Sequence, residues 1–205
     1  ASVTIWKDVE GILNGDPRQF DDTVYIPQLT YLDAIELAYS GAQVIHPKTI
    51  KPLQNKHIPL YVRPFSEPAK PGTVICSRID RPIGVPIRIL KQHQVLVSVR
   101  PKDFSFVLEE RLADIFAVFN QYHLKINLIQ SSAVNLSVCV DDSRYLERVI
   151  DTLQVDFRVV YNQSVELLTV RGYDDDAYSR YADASGVMLV QKTRRTVRLV
   201  RKARA

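Results

Sequence analysis

Val95-Leu96-Val97-Ser98-Val99 is a β-prone run, and the residues after it decide the fold. Leu108, Leu112, Ile115, Phe116 and Phe119 recur at three- and four-residue spacing, the stripe of a helix with one apolar face. Two short β-rich runs, residues 126–129 and 134–140, flank a polar turn at Ser131-Ser132. Ser143 is placed to cap a second helix, whose stripe is Leu146, Val149, Ile150 and Leu153. Strands are expected again over residues 157–160 and 165–170. The order β-α-β-β-α-β is that of a small ferredoxin-like unit. A short helix near residues 174–181 and strands over 187–191 and 196–200 form a shorter second copy. The region therefore reads as two ferredoxin-like units packed side by side.

Upstream the rhythm changes to alternating strand and helix. Val3-Thr4-Ile5-Trp6 is β-prone and reads as a strand cut into from upstream, and Gly11 and Gly15-Asp16-Pro17 punctuate a loop. Thr30-Tyr31-Leu32-Asp33 resembles a capping box with Asp in the last place, and predicts a helix from there to Ser40. Gly41 suits a left-handed stop. His46-Pro47 restarts a short helix with proline in the first turn, and residues 58–62 read as a strand. The Pro/Gly-rich loop at residues 66–72 leads toward a domain boundary. The expected division is an α/β segment over residues 1–79 and an α+β region over 80–205.

Bulk properties narrow the class. Apolar residues at 46% and charged residues at 24% give the balance of a globular chain. No apolar run approaches the roughly 20 residues that span a bilayer, and the opening residues carry no basic stretch of a signal peptide. Cys76 and Cys139 are far apart, which fits a reducing, cytoplasmic setting rather than a disulfide scaffold. The net charge of +4 is concentrated in Lys192, Arg194, Arg195, Arg198, Arg201, Lys202 and Arg204, with no acid after Asp183. So placed, it reads as a solvated strand and tail, and no partner nucleic acid or membrane is expected. His57, His93 and His123 lack ligand spacing, so no metal site is expected in this chain. His46 before Pro47 reads as part of a helix start.

Three ordered stretches resemble the aspartate kinases. The first is Ile5-Trp6-Lys7-Asp8-Val9-Glu10-Gly11-Ile12, continuing through Gly15-Asp16-Pro17-Arg18. The second runs from Ala34 to Ile50 and contains Ser40-Gly41-Ala42-Gln43-Val44-Ile45-His46-Pro47. The third is Ile58-Pro59-Leu60-Tyr61-Val62-Arg63, with Pro68 and Pro71-Gly72-Thr73 beyond it. Ordered matches of this kind are far more specific than one short motif. The resemblance implies the C-terminal part of an amino-acid-kinase domain followed by two ACT regulatory units. It implies ATP, with Mg2+, as phosphoryl donor, and an ATP pocket that includes Lys7, Asp8, Arg18, Gln43 and Val44. Lys7 and Asp8 would lie beside the adenosine, Arg18 near the phosphates, and Gln43 and Val44 would offer backbone groups. Lys7 stands where the family has Thr, and Gln43 where it has Lys. Read as local structure alone, Asp8 caps a turn, Asp16-Pro17 makes one, and Arg18 pairs with Asp21 or Asp22.

The family's phosphate loop, of Lys-Phe-Gly-Gly-Thr-Ser type, is not in this chain, and neither are its aspartate-binding residues. No catalytic residue is therefore expected here, and the chain alone is expected not to phosphorylate aspartate. The resemblance implies an amino-acid effector, lysine or threonine, bound among Ser105, Leu108, Leu112, Lys125, Ile126, Asn127, Gln130, Ser131, Ser132 and Ala133. Lysine-sensitive relatives carry Asp in place of Asn127 and Glu in place of Ala133. The local alternative is that Ser131 and Ser132 only make a hairpin turn. A homodimer through the ACT region is implied as well. The competing function is a stand-alone amino-acid-sensing ACT protein without kinase activity. A third, a nucleic-acid binder working through its basic tail, would show salt-sensitive DNA binding.

Overall fold

A computed structural model describes residues 1–42, 45–80, 82–103, 106 and 109–203. In chain order the elements are β1 (Val3–Lys7), β2 (Ile12–Leu13), β3 (Tyr25–Ile26), β4 (Gln28–Thr30), α1 (Tyr31–Ser40), α2 (Pro47–Asn55), β5 (Leu60–Pro64) and β6 (Thr73–Cys76). There follow β7 (Ile87–Pro101), α3 (Glu109–Gln121), β8 (Ile126–Ser131), β9 (Leu136–Asp141), α4 (Leu146–Gln154), β10 (Phe157–Arg171), α5 (Asp175–Ala182), β11 (Val187–Lys192) and β12 (Thr196–Lys202). The mixed α/β and α+β architecture is the one the sequence implies. Two compact units are formed. One comprises Ala1–Leu90, Thr169–Asp183 and Lys192–Val197; the other comprises Lys91–Leu168, Ala184–Gln191 and Arg198–Ala205.

The first unit holds a four-stranded sheet in the order β1-β5-β6-β4, with β1 parallel to β5 and β4 parallel to β6. Leu29, Leu37, Ile50, Leu60, Val62 and Ile75 make a core with at most 2% of any side chain exposed. α1 forms where its caps allow. Thr30 Oγ1 accepts from the Asp33 amide at 3.0 Å and donates to Asp33 Oδ2 at 2.6 Å, so the two side chains close the first turn reciprocally. Gly41 ends the helix at φ 112°, a left-handed conformation that a Cβ disfavours. His46 caps α2 by accepting from the Lys48 amide. The loop at residues 66–72 joins antiparallel neighbours β5 and β6 of one sheet, and the unit runs on to Leu90.

The second unit is built on a six-stranded sheet, β11-β12-β10-β7-β9-β8. Within it β7-α3-β8-β9-α4-β10 is the expected βαββαβ, in the spatial order β10-β7-β9-β8, with β9 antiparallel to β7 and β8. In chain order α5, β11 and β12 follow as the abbreviated copy, with α5 inside the segment Thr169–Asp183 of the first unit. Ile115 and Phe119 of α3 and the four stripe residues of α4 pack with Val95, Val97, Val99, Leu136, Val138 and Val140. The alternate residues Leu96 and Cys139 join Leu128, Val165, Leu167 and Val200 in a second cluster.

Two local expectations are corrected. Ser143 does not cap α4; the cap position is Tyr145 and no side chain bonds there, although Ser143 Oγ accepts from the Tyr145 amide at 3.3 Å. Residues 157–171 form one strand rather than two; Asn162 and Gln163 lie within it, and the left-handed Ser164, at φ 54°, is a local irregularity rather than a break. His57, His93 and His123 also sit at φ 52–54°, the left-handed region, His93 within β7.

Candidate functional site

The first unit contains a cleft of about 350 Å³. Lys7 closes β1 on one wall, and Gly11 forms part of the floor where β2 begins. Gly11 has no room for a side chain: a Cβ would lie 2.6 Å from the Tyr25 ring and 2.7 Å from Thr73 Oγ1. Thr73 Oγ1 accepts from the Ile12 amide at 2.8 Å and donates to the Ile26 carbonyl at 2.6 Å, which fixes that floor. The turn Asp16-Pro17-Arg18 forms the rim, and Gly41-Ala42, after α1, complete the wall.

Arg18 is paired with Asp16, not with Asp21 or Asp22. Its Nε donates to Asp16 Oδ1 at 3.1 Å and its Nη2 to Oδ2 at 2.8 Å. The same carboxylate accepts from the Arg18 amide at 2.9 Å, and the Asp16 carbonyl accepts from the Gln19 and Phe20 amides. A carboxylate two residues before its partner closes a tight turn by accepting from the backbone amide as well as from the side chain. The Arg18 side chain hydrogen bonds hold the Asp16 carboxyl below its usual range. The Arg18 side chain is 82% exposed, so a cationic fork stands open to solvent at the rim. Asp8 is exposed and outside the residues that line the cleft. Gln43 and Val44 lie outside the described residues; their neighbours Gly41 and Ala42 are in the wall.

The residues assigned to an effector divide differently. Ser105 and Leu108 lie outside the described residues. Leu112 and Ile126 are half-buried and pack onto the core under α3 and α4. Lys125 is exposed, as are Gln130, Ser131, Ser132 and Ala133 around the β8–β9 turn. That turn is closed by the Ser132 amide, which donates to the Asn135 carbonyl at 2.8 Å.

Asn127 is buried in a polar network. Its Oδ1 accepts from Lys91 Nζ at 2.8 Å; its Nδ2 donates to Gln94 Oε1 and to Asp141 Oδ1, each at 2.8 Å. Lys91 Nζ also lies 2.6 Å from Asp141 Oδ1, and Gln94 Nε2 donates to that oxygen at 2.9 Å. Burial opposes ionisation of Asp141, but the hydrogen bonds from Gln94, Lys91 and Asn127 outweigh it and keep the carboxyl below its usual range. Beside this network burial pushes the Cys139 thiol up to about 12, which leaves it protonated and unreactive. A second cleft, of about 500 Å³, is lined by Arg100, Lys102, Gln154, Phe157 and Arg158, and none of the described residues assigned to the effector lies in either cleft. Among the described residues no group of three or more His, Cys, Asp or Glu side chains is placed to hold a metal ion. No described helix is long and apolar enough to cross a membrane.

Two residues were missed in the sequence. Arg88 lines the first cleft between Ile87 and Ile89, and the signal that could have found it is a lone cation within the apolar run Ile87-Arg88-Ile89-Leu90. Arg171 pairs with Asp33 through Nε at 3.0 Å and Nη2 at 2.8 Å, from 138 residues away, which no local pattern announces.

Comparison with known proteins gives a consistent picture. The model of the amino acid kinase family matches residues 1–64. Aspartokinase 1, chloroplastic, of Arabidopsis thaliana is 29% identical over 154 residues, which are 75% of this chain and 27% of the relative. The lysine-sensitive aspartokinase 3 of Escherichia coli K12 is 27% identical over 182 residues, 84% of this chain and 40% of the relative. Bifunctional aspartokinase/homoserine dehydrogenase 1, chloroplastic, of A. thaliana is 42% identical over 143 residues, 67% of this chain and 16% of the relative. The chain thus spans well under half the length of these relatives. The aspartate kinase of Clostridium acetobutylicum superimposes with a TM-score of 0.83 at 19% identity, covering 98% of this chain and 51% of that one. E. coli aspartokinase III in complex with lysine and aspartate superimposes with a TM-score of 0.79 at 21% identity, covering 97% and 48%. At such identities the likeness to the solved structures is one of fold.

Proposed function

We propose, given that this chain is a relative of the aspartokinases, that it supplies the nucleotide side and the regulatory region of an enzyme transferring a phosphoryl group from ATP to the side-chain carboxylate of aspartate. The observation that carries the reading is the cleft whose wall includes Lys7, Arg18 and Gly41-Ala42, residues from two of the stretches that resemble aspartate kinases. Its size suits the base and sugar of a nucleotide, and its rim offers the exposed guanidinium of Arg18 toward the phosphates. In this account Lys7, Asp8, Arg18, Gln43 and Val44 serve ATP binding. In the intact enzyme ATP is taken to act with Mg2+. With no phosphate loop or aspartate site in the sequence, the chain alone binds nucleotide without transferring phosphate.

Residues 1–79 are assigned to the kinase part and 80–205 to the ACT part. The proposed effector surface comprises Ser105, Leu108, Leu112, Lys125–Asn127 and Gln130–Ala133, and the effector is an end-product amino acid, lysine or threonine. The departures at Asn127 and Ala133 remove the carboxylates that would pair with a lysine ammonium, and the engagement of Asn127 with Lys91 and Asp141 points the same way. Titration calorimetry with lysine, threonine and methionine tests this part: heat from one of them is expected, and no heat from any removes the effector from the account. Pairing through edge strand β8, where Ile129 is 45% exposed, supports a homodimer, and a strictly monomeric sedimentation profile at high concentration would count against it. A cytoplasmic setting fits the two free cysteines.

A further inference from the structure

We propose that Arg88 is a positioning residue that holds the loop over residues 14–24 closed and so keeps the Asp16-Arg18 turn at the rim of the cleft. The inference rests on the nucleotide reading of that cleft. Arg88 reaches the loop from outside it, on β7, with a side chain only 6% exposed. Its Nη1 donates to Asp22 Oδ1 at 2.5 Å and its Nη2 to the Asp22 carbonyl at 3.1 Å. The guanidinium carbon stands 4.5 Å from the centre of the Phe20 ring, a cation–π contact. Nη1 also lies 3.4 Å from the Tyr181 hydroxyl. The Arg88 amide donates to the Asn14 carbonyl at 2.7 Å. Asn14 in turn closes the base of the loop: its Oδ1 accepts from the Val24 amide at 2.6 Å, and its Nδ2 donates to the Pro86 carbonyl at 3.0 Å. Arg88 thus grips the loop at its base, at Phe20 and at Asp22.

The turn that carries Arg18 lies between those grips, and the Phe20 amide donates to the Asp16 carbonyl. Movement of Phe20 is therefore movement of the turn. Arg88 Nε is buried with no hydrogen-bond partner, a cost to stability that an apolar side chain of similar length would avoid. A residue kept for stability alone would not need that orphan; one kept to fix both the charge and the carbonyl of Asp22 needs the fork.

The test compares wild type with Arg88→Met, Arg88→Lys and Asp22→Asn by amide hydrogen exchange and by fluorescence titration with ADP, at a temperature where each variant is folded by circular dichroism. In Arg88→Met, exchange over residues 14–24 is expected to quicken about tenfold while exchange in β1 and β5 is unchanged. ADP binding is expected to weaken roughly fivefold to tenfold, with Arg88→Lys recovering part of it because it keeps the charge but not the fork. If Arg88→Met fails to fold, Arg88→Lys and Asp22→Asn carry the comparison. Unchanged exchange over residues 14–24 in the folded variants overturns the proposal. Faster exchange with unchanged ADP affinity also overturns it, since Arg88 would then be structural only. A wild type that does not bind ADP removes the nucleotide reading instead, and the exchange result alone then decides whether Arg88 holds the loop.

Discussion

At position 127 the surroundings require a side chain that both donates and accepts. Asn127 accepts from Lys91 and donates to Gln94 and Asp141. Aspartate there would lose both donations and set a second carboxylate against Asp141. Asn127→Asp is expected to destabilise the second unit by about 1–3 kcal/mol, read as a lower urea midpoint at neutral pH. A midpoint equal to wild type would show that the network contributes nothing. Asp33 makes a prediction about pH. Burial raises its pKa, but hydrogen bonds from Thr30 and Arg171 outweigh this and leave the carboxyl below its unfolded value. A group depressed in this way contributes stability that is full above the unfolded pKa, near 3.9, and lost as pH falls through the folded value. Asp33→Asn should therefore flatten the loss of stability below about pH 4 relative to wild type, and parallel acid profiles would contradict the assignment. At this scale legibility depended on distance along the chain. The Arg18 pairing was expected locally but with the wrong acid. The ties of Asp33 to Arg171 and of Arg88 to Asp22 join residues 138 and 66 positions apart, so only the fold brings them together.

Elements were legible where their signals were local and reinforcing. α1 has both its caps in the sequence, and the structure ends it at those residues. Thr30→Ala is expected to cost about 1 kcal/mol, because both the cap and the bond to Asp33 are lost. Thr30→Ser should recover most of it, and a melt unchanged by Thr30→Ala would contradict the capping account. At Gly41 a valine should cost roughly 1–3 kcal/mol for the left-handed backbone alone. α4 forms without the expected serine cap, because its buried stripe of Leu146, Val149, Ile150 and Leu153 stabilises it through packing. Two strands were expected over 157–160 and 165–170, yet the polar run Tyr161 to Ser164 stays within one strand.

The βαββαβ order of the second unit was readable from periodicity, since three- and four-residue stripes and alternating runs follow one another cleanly. The likeness to aspartate kinases was readable from three ordered stretches, all of which contribute residues to one cleft, the third through Val62. The effector surface was carried over position by position, and the described residues of that set divide between a packed core, a closed polar network and a solvent-facing turn. Sequence resemblance names positions; which of them face a common space is a property of packing. The central claim is that this chain holds the nucleotide side and the regulation of an aspartate kinase but not its transfer machinery. ADP release dependent on both ATP and aspartate, measured on this chain and on the protein translated from its whole gene, tests that claim most directly. Turnover by the whole-gene product and none by the chain is the expected result; turnover by the chain alone, or none by either, would contradict it.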